Sequence, residues 1–303
     1  MATAPVESEL GRNAAHRRSW RYGIVGRFLT DPGAVFGGVL LALLIFAAVA
    51  APVISPYDPN STDLVARNTP PAWLAKGSTR HLLGTDPVGR DLLSRIIYGA
   101  RVSLSVGIIV TILAAAFGVL LGLFAGYYGG WIDEVLMRVA DLFLAFPFIL
   151  LAITIISVLG AGLTNLIIVL VVTGWVQYAR LARGQVLGVK RTQYVEAAQV
   201  AGARDARILL RHILPNIIAS VIVLATLQVA FVILTEAALS FLGLGVKPSI
   251  PTWGSMVNDG RLYIYTAWWV ITFPGLAIMV AVLAINMVGD WLRDTLDPTL
   301  RVL

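Results

Sequence analysis

The stretch Glu196–Pro215, EAAQVAGARDARILLRHILP, decides how the chain is read. It is a long, charged, small-residue-rich segment lying between hydrophobic blocks. Lys190 and Arg191 precede it, and Arg204, Arg207 and Arg211 lie within it. Glu196, Ala197 and Ala198 open a short helix, because an acid is favoured near a helix N-terminus. Gly202 interrupts, where a helix ends or a close backbone approach leaves no room for a side chain. Ala203 to His212 resumes helical composition. Pro215 ends the run and sits in the first turn of a following apolar helix. The expectation is two short helices on a basic loop.

Composition fixes the solvent of the rest. The chain has 303 residues, 58% hydrophobic and 13% charged, with a mean hydropathy of +0.82. A soluble protein has roughly 45–50% apolar and about 25% charged residues. Too little polar surface is left to cover a soluble globule, so lipid is the solvent. The net charge of +6 gathers at the N-terminus and in loops, as membrane orientation demands, and does not indicate nucleic acid. The absence of cysteine excludes disulfides, thiol catalysis and Cys-based metal sites. His16, His81 and His212 are too far apart in sequence to indicate a metal centre.

Taken in order, the chain starts with a basic segment holding Arg12, Arg17, Arg18, Arg21 and Arg27, which keeps this end in the cytoplasm. Six apolar spans are expected at 35–54, 102–127, 135–159, 163–181, 216–245 and 267–291. Reading the first as a cleaved signal peptide, with Ala48-Val49-Ala50 as the cleavage site, is disfavoured by the long polar region before it. In the second span Gly118, Gly122 and Gly126 stand at the four-residue spacing that lets helices approach closely. The third holds Arg138 and Asp141, able to pair at i,i+3, and Pro147, which kinks it. The fifth carries Glu236, a carboxylate costly in lipid. It is read either as functional or as close enough to the interface to reach water or an arginine.

Between spans one and two lies a long turn-rich connection ending in GTDPVGRD, with Asp86, Arg90 and Asp91. Asp91 sits near a helix N-cap. The segment lacks the Gly-Lys-Ser/Thr ending of a phosphate loop. Between spans five and six, Trp253 and Gly254 follow a proline-rich turn. With a cytoplasmic N-terminus and six spans, the basic loop after span four also falls in the cytoplasm.

The Glu-Ala-Ala, Gly and Leu214-Pro215 spacing resembles the cytoplasmic loop of permease subunits of binding-protein-dependent ABC importers. GTDPVGRD, the Pro-x-Trp-Gly at Trp253 and the ending with Asp297-Pro298 resemble the dipeptide, oligopeptide and nickel subfamily. One departure is His212, where that pattern has an aliphatic residue.

The resemblance implies an all-α membrane protein, six transmembrane helices of the type I ABC importer permease kind with a cytoplasmic coupling helix. It divides the chain into a cytoplasmic segment 1–32, a first helix with its external loop 33–101, and a five-helix core 102–303 containing the coupling loop 184–215. Glu196, Ala197, Ala198, Gly202, Arg207, His212, Leu214 and Pro215 would dock on the ATPase. Asp141, Pro147 and Glu236 would line the substrate path, and Asp86, Arg90, Asp91, Trp253 and Gly254 would face the binding protein.

The partners implied are a second related permease, two cytoplasmic ATPase subunits, an extracytoplasmic substrate-binding protein and membrane lipid. The chain would be no enzyme and would bind no cofactor or metal, ATP being used by the partner subunits. Its place would be the bacterial cytoplasmic membrane, both termini inside, moving di- or oligopeptides. A nickel or other small-solute permease of the same subfamily is the alternative. An ion-gradient-driven secondary transporter is another, with Asp141 and Glu236 as its ionisable candidates.

Overall fold

The chain was analysed as a computed structural model that describes residue 23 and residues 25–296. Arg12, Arg17, Arg18, Arg21, Asp297 and Pro298 lie outside the described residues. Within them the fold is a helical bundle without strands. Helix α1 spans Pro32–Ile54, α2 Leu92–Tyr128, α3 Gly130–Ala145, α4 Phe148–Leu159 and α5 Leu163–Val189. Then come α6 at Gln193–Val200, α7 at Leu214–Phe241, α8 at Trp253–Gly260 and α9 at Trp269–Leu296.

Five helical segments are long and apolar enough to cross a membrane, and α3 with α4 makes a sixth crossing if the pair is one span. Here the structure corrects the expected third span. α3 and α4 are bent by 91° at Phe146–Pro147, a break and not a kink. The residue before a proline is pushed out of the helical region. Phe146 and Pro147 both take extended conformations, at ψ 138° and 127°, so the helical path is lost for two residues.

α2 starts at Leu92 because Asp91 caps it, accepting from the Ser94 N–H at 2.8 Å. The division expected between 101 and 102 therefore falls inside a helix. α5 runs on to Val189, past the expected end of span four.

α2 packs most extensively against α5. The glycine spacing explains how. A Cβ on Gly118 would lie 2.7 Å from the Tyr178 Cβ, one on Gly122 2.7 Å from the Ala182 Cβ, and one on Gly126 2.7 Å from the Val186 Cβ. Lipid gives no hydrophobic incentive for helices to associate, so van der Waals contact at this closeness carries the pairing. α3 is fastened to the same helix by charge: Arg183 binds Asp133 through Nε at 2.5 Å and Nη2 at 2.6 Å, and Arg180 binds Asp141 at 2.5 Å. Asp141 thus pairs across helices with Arg180 and not along its own helix with Arg138.

Gly122→Leu is expected to lower the melting temperature of the detergent-solubilised protein, since overpacking costs about 1–3 kcal/mol or more. Gly184→Ala on the open side of α5, where nothing lies within 4 Å of the added methyl, is the control and should leave it unchanged or raise it slightly.

Candidate functional site

The segment after α5 is built as an exposed helix on a buried foot. In α6, Val195 is fully buried while Glu196, Ala197 and Gln199 are exposed and Ala198 is half-buried. Gly202 ends the helix at φ +76°, its N–H donating to the Gln199 carbonyl at 2.9 Å. The Ala203 N–H returns to the Ala198 carbonyl at 3.0 Å, which completes a Schellman turn. A Cβ at Gly202 would meet nothing within 4 Å, so backbone conformation and not crowding within this chain selects glycine.

The chain then runs through a helical turn, Asp205–Arg207, and a π-helix, Ile208–Ile213, directly into α7. Pro215 does not end this run; it lies in the first turn of α7 within one continuous helical path. A proline lacks an N–H and clashes with the carbonyl four residues back. The wider π turn accommodates that defect, with the Leu214 N–H donating to the Leu209 carbonyl, five residues back. Ile213 is fully buried and His212 only half-buried, so Ile213 fills the apolar place beside the His212 departure. Leu214 packs against the same core, and Arg207 is exposed.

What holds the segment was not apparent in the sequence. The Tyr127 hydroxyl, at the end of α2, donates to Asp205 Oδ1 at 2.8 Å. Lys190 Nζ donates to the Tyr127 carbonyl and stands 5.3 Å from the centre of the Tyr127 ring. Below them Val195, Ile208, Ile213 and Ile217 share one core with Tyr178 and Val186 of α5. The only sequence signal for Tyr127 is a tyrosine one residue past the last glycine of the four-residue repeat. The outward face of the segment combines Val200, 90% exposed, and Leu210, 64% exposed, with Arg204, Arg207 and Arg211.

At the other end of α2 the expected partner-facing residues turn inward. Asp86, Asp91, Trp253 and Gly254 are buried, so their side chains brace the loops. Asp86 Oδ1 accepts from the Val88 and Arg90 N–H groups, each at 2.9 Å, and Oδ2 meets Arg90 Nε at 2.5 Å. Arg90 and Arg95 both reach Asp259 of α8, at 3.0 and 3.4 Å. Burial pushes the Asp259 carboxyl above its ordinary value, and the two arginines oppose that shift. Asp91 also meets His81 Nδ1 at 2.9 Å. Trp253 Nε1 donates to the Ile96 carbonyl at 3.0 Å, and a Cβ on Gly254 would stand 2.5 Å from the Ala237 Cα.

Glu236 is fully buried and reaches neither water nor an arginine. Its carboxyl accepts from Ser240 at 2.7 Å and Ser103 at 3.3 Å, joining α7 to α2. Pro147 stands at the α3–α4 break, where Phe146 and Phe148 wall a cavity; neither Asp141 nor Glu236 lines it. The three substrate-path candidates are therefore not brought together.

The family described as the binding-protein-dependent transport system inner membrane component matches residues 118–302. The chain belongs to this family. Residues 17–71 match the N-terminal TM domain of oligopeptide transport permease C. The di/tripeptide transport system permease protein DppC of Pseudomonas aeruginosa (strain UCBPP-PA14) is 45% identical and covers 90% of each chain. The glutathione transport system permease protein GsiD of Pectobacterium atrosepticum is 42% identical over 99% of this chain and 97% of its own. Among solved structures, the MetNI methionine ABC transporter in an inward-facing form matches 68% of this chain and 98% of its own with TM-score 0.55 and 19% identity, a likeness of fold. A multi-pass transport component of the type I importer fold is thus what carries the segment 193–215.

Tyr127→Phe removes the bond to Asp205, a charge-assisted contact worth about 1.5 kcal/mol. Amide exchange in 193–207 is expected to rise roughly tenfold, while exchange in the α2–α5 contact stays as it is.

Proposed function

We propose that this chain is a translocating subunit of an ATP-driven importer of di- or oligopeptides in a bacterial cytoplasmic membrane. The observation that carries the reading is the exposed α6, ended by a left-handed glycine and mounted on the membrane core through Tyr127 and Ile208–Ile217. The relatives named for di/tripeptide and glutathione transport supply the substrate class. On this reading both termini and α6 are cytoplasmic, and α6 docks on one of two separate ATPase subunits. Glu196, Ala197, Ala198, Gly202 and Arg207 offer contact; His212, Leu214 and Pro215 carry the movement into α7. A second related permease completes the pathway, and an extracytoplasmic binding protein delivers peptide at the Trp253 end. The loops braced by Asp86, Arg90, Asp91, Trp253 and Gly254 would meet it.

The ATPases close on binding ATP, and α6 moves with them. Only contacts that differ between the two states shift the equilibrium. The continuous path Asp205–Phe241 passes the displacement to the span without an intervening loop. An ion-gradient mechanism would need ionisable groups along the path. Asp141 is paired with Arg180, and Glu236 is enclosed by hydroxyls.

The native chain has no cysteine, so Gln199→Cys gives a single reporter. With a second cysteine in the groove of the candidate ATPase subunit, a nucleotide-sensitive crosslink is expected. Labelling of residue 199 from outside only would invert the topology and sink the reading. Gly202→Ala places a side chain in a left-handed conformation at about 1–2 kcal/mol. Peptide uptake is expected to drop roughly five- to thirty-fold, and Gly202→Leu to abolish it, with membrane insertion intact; normal uptake in the leucine variant would count against coupling here.

A further inference from the structure

We propose that the cavity at the α3–α4 break is a station that reads peptide bonds on the transport path, with Gln177 and Gln228 as the reading pair. The inference rests on the peptide reading above and assigns residues to it. The cavity measures about 160 Å³ and is walled by α2, α3, α4, α5 and α7. At roughly 30 Å³ per water it has room for about five waters, so it takes one unit of a substrate at a time. None of the residues forming its walls is charged. Such a site supplies no counter-charge for a metal chelate or for peptide termini, so what it can recognise is the amide between them. Its chemistry suits a neutral amide flanked by apolar groups.

One wall is aromatic, with Phe146 and Phe148 from the break and Phe231 from α7. The rest of the polar lining is neutral. Gln228 Nε2 donates to Gln177 Oε1 across α7 and α5. In that pairing the Gln177 amide nitrogen and the Gln228 amide oxygen remain available. Together they present a donor beside an acceptor, the complement of a peptide C=O and N–H. Gln177 is exposed, so the pair is reachable, while Gln228 is buried.

Beside them Thr111 Oγ1 and Tyr178 Oη, on residues 4% and 1% exposed, lie close enough to face one another, and neither meets any further partner. A hydroxyl has one donor and two acceptor sites, so the two together keep capacity that facing each other does not use. Both line the cavity, and a passing amide would use that capacity.

The test uses the whole importer, with its binding protein, in proteoliposomes. The probes are Ala-Ala and the same dipeptide methylated on its peptide nitrogen. The binding protein's own preference is common to every sample, so a change in the uptake ratio reports this chain. Gln177→Leu, at an exposed position, and the pair Gln177→Leu with Gln228→Leu are compared with wild type. Binding-protein-stimulated ATP hydrolysis verifies assembly. The double variant is expected to lose at least fivefold of the preference for Ala-Ala, and Gln177→Leu a smaller part. An unchanged ratio with continuing uptake overturns the proposal and leaves the peptide reading intact. Wild type that takes up neither the dipeptides nor alanine peptides of three to five residues overturns the peptide reading, and the proposal with it; where only a longer alanine peptide is taken up, that peptide and its N-methylated form are the probes. Should the double variant not assemble, Gln177→Cys decides: Ala-Ala during turnover is expected to slow its maleimide labelling at least threefold, and unprotected labelling overturns the proposal.

Discussion

The contact between α2 and α5 is the constraint on which everything else hangs. Gly118, Gly122 and Gly126 bring α2 against the backbone and Cβ atoms of Trp175, Tyr178, Ala179, Ala182 and Val186. In lipid, that closeness replaces the hydrophobic drive available in water. Because the spacing is four residues, the contact follows one stripe and fixes rotation as well as distance. Tyr127, one residue past Gly126, is thereby aimed at Lys190 and Asp205. The socket of α6 is a consequence of the glycine stripe.

Charge does its structural work at the other end of the same helix. Arg95 is 1% exposed at the start of α2, and it shares Asp86 and Asp259 with Arg90. A buried pair of this kind gains little over apolar packing, but removing one member leaves an uncompensated charge. Its use here is register: it ties α8 and the loop before α2 to one turn of one helix. The Asp141–Arg180 pair is about half exposed on both sides and belongs to the weaker class, about 0–1 kcal/mol. At that end it is the bidentate, less exposed Arg183–Asp133 pair that fastens α3, and the Asp141–Arg180 pair only trims it.

Much of this was legible in the sequence, for identifiable reasons. Apolar length locates spans, small residues at spacing four announce close contact, and Asp91 announces a helix start. Glycine in Gly202 announces a left-handed end. The misses are equally physical. Pro147 and Pro215 carry the same local instruction, yet one breaks the helix by 91° and the other is absorbed in a π turn. Tertiary support decides: Ile208, Ile213 and Ile217 are buried around Pro215, whereas Phe146 is exposed beside Pro147. Partners across helices, such as Arg180 for Asp141 and Ser103 for Glu236, lie 39 and 133 residues away in sequence. No periodicity encodes them. Inward-facing Asp86 and Trp253 could not be told from outward-facing ones, because loop residues carry no face.

The distribution of stiffness follows from these parts. Asp205–Phe241 is 37 residues of unbroken helical path, about 55 Å at 1.5 Å per residue. That exceeds a hydrocarbon core of about 30 Å, so the element extends from the α6 socket to the Glu236–Ser103 junction beside α8. α2 has the same length; Tyr127 near its C-terminal end meets Asp205, and Ser103, about three turns in from its start, meets Glu236. Two rods joined at two levels resist shear, so on the proposed reading a displacement of α6 is passed along them instead of being lost in a loop. The pair α3 and α4 is built differently. It is interrupted at Phe146–Pro147, exposed on one side and bordered by a cavity on the other. Stiff rods against one interrupted pair concentrate any change of shape at the break, the place where the bundle opens onto neutral polar groups with hydrogen-bonding capacity to spare. On the proposed reading, the element that receives ATP-driven movement and the element that yields to it are thus distinct, and the cavity lies between them.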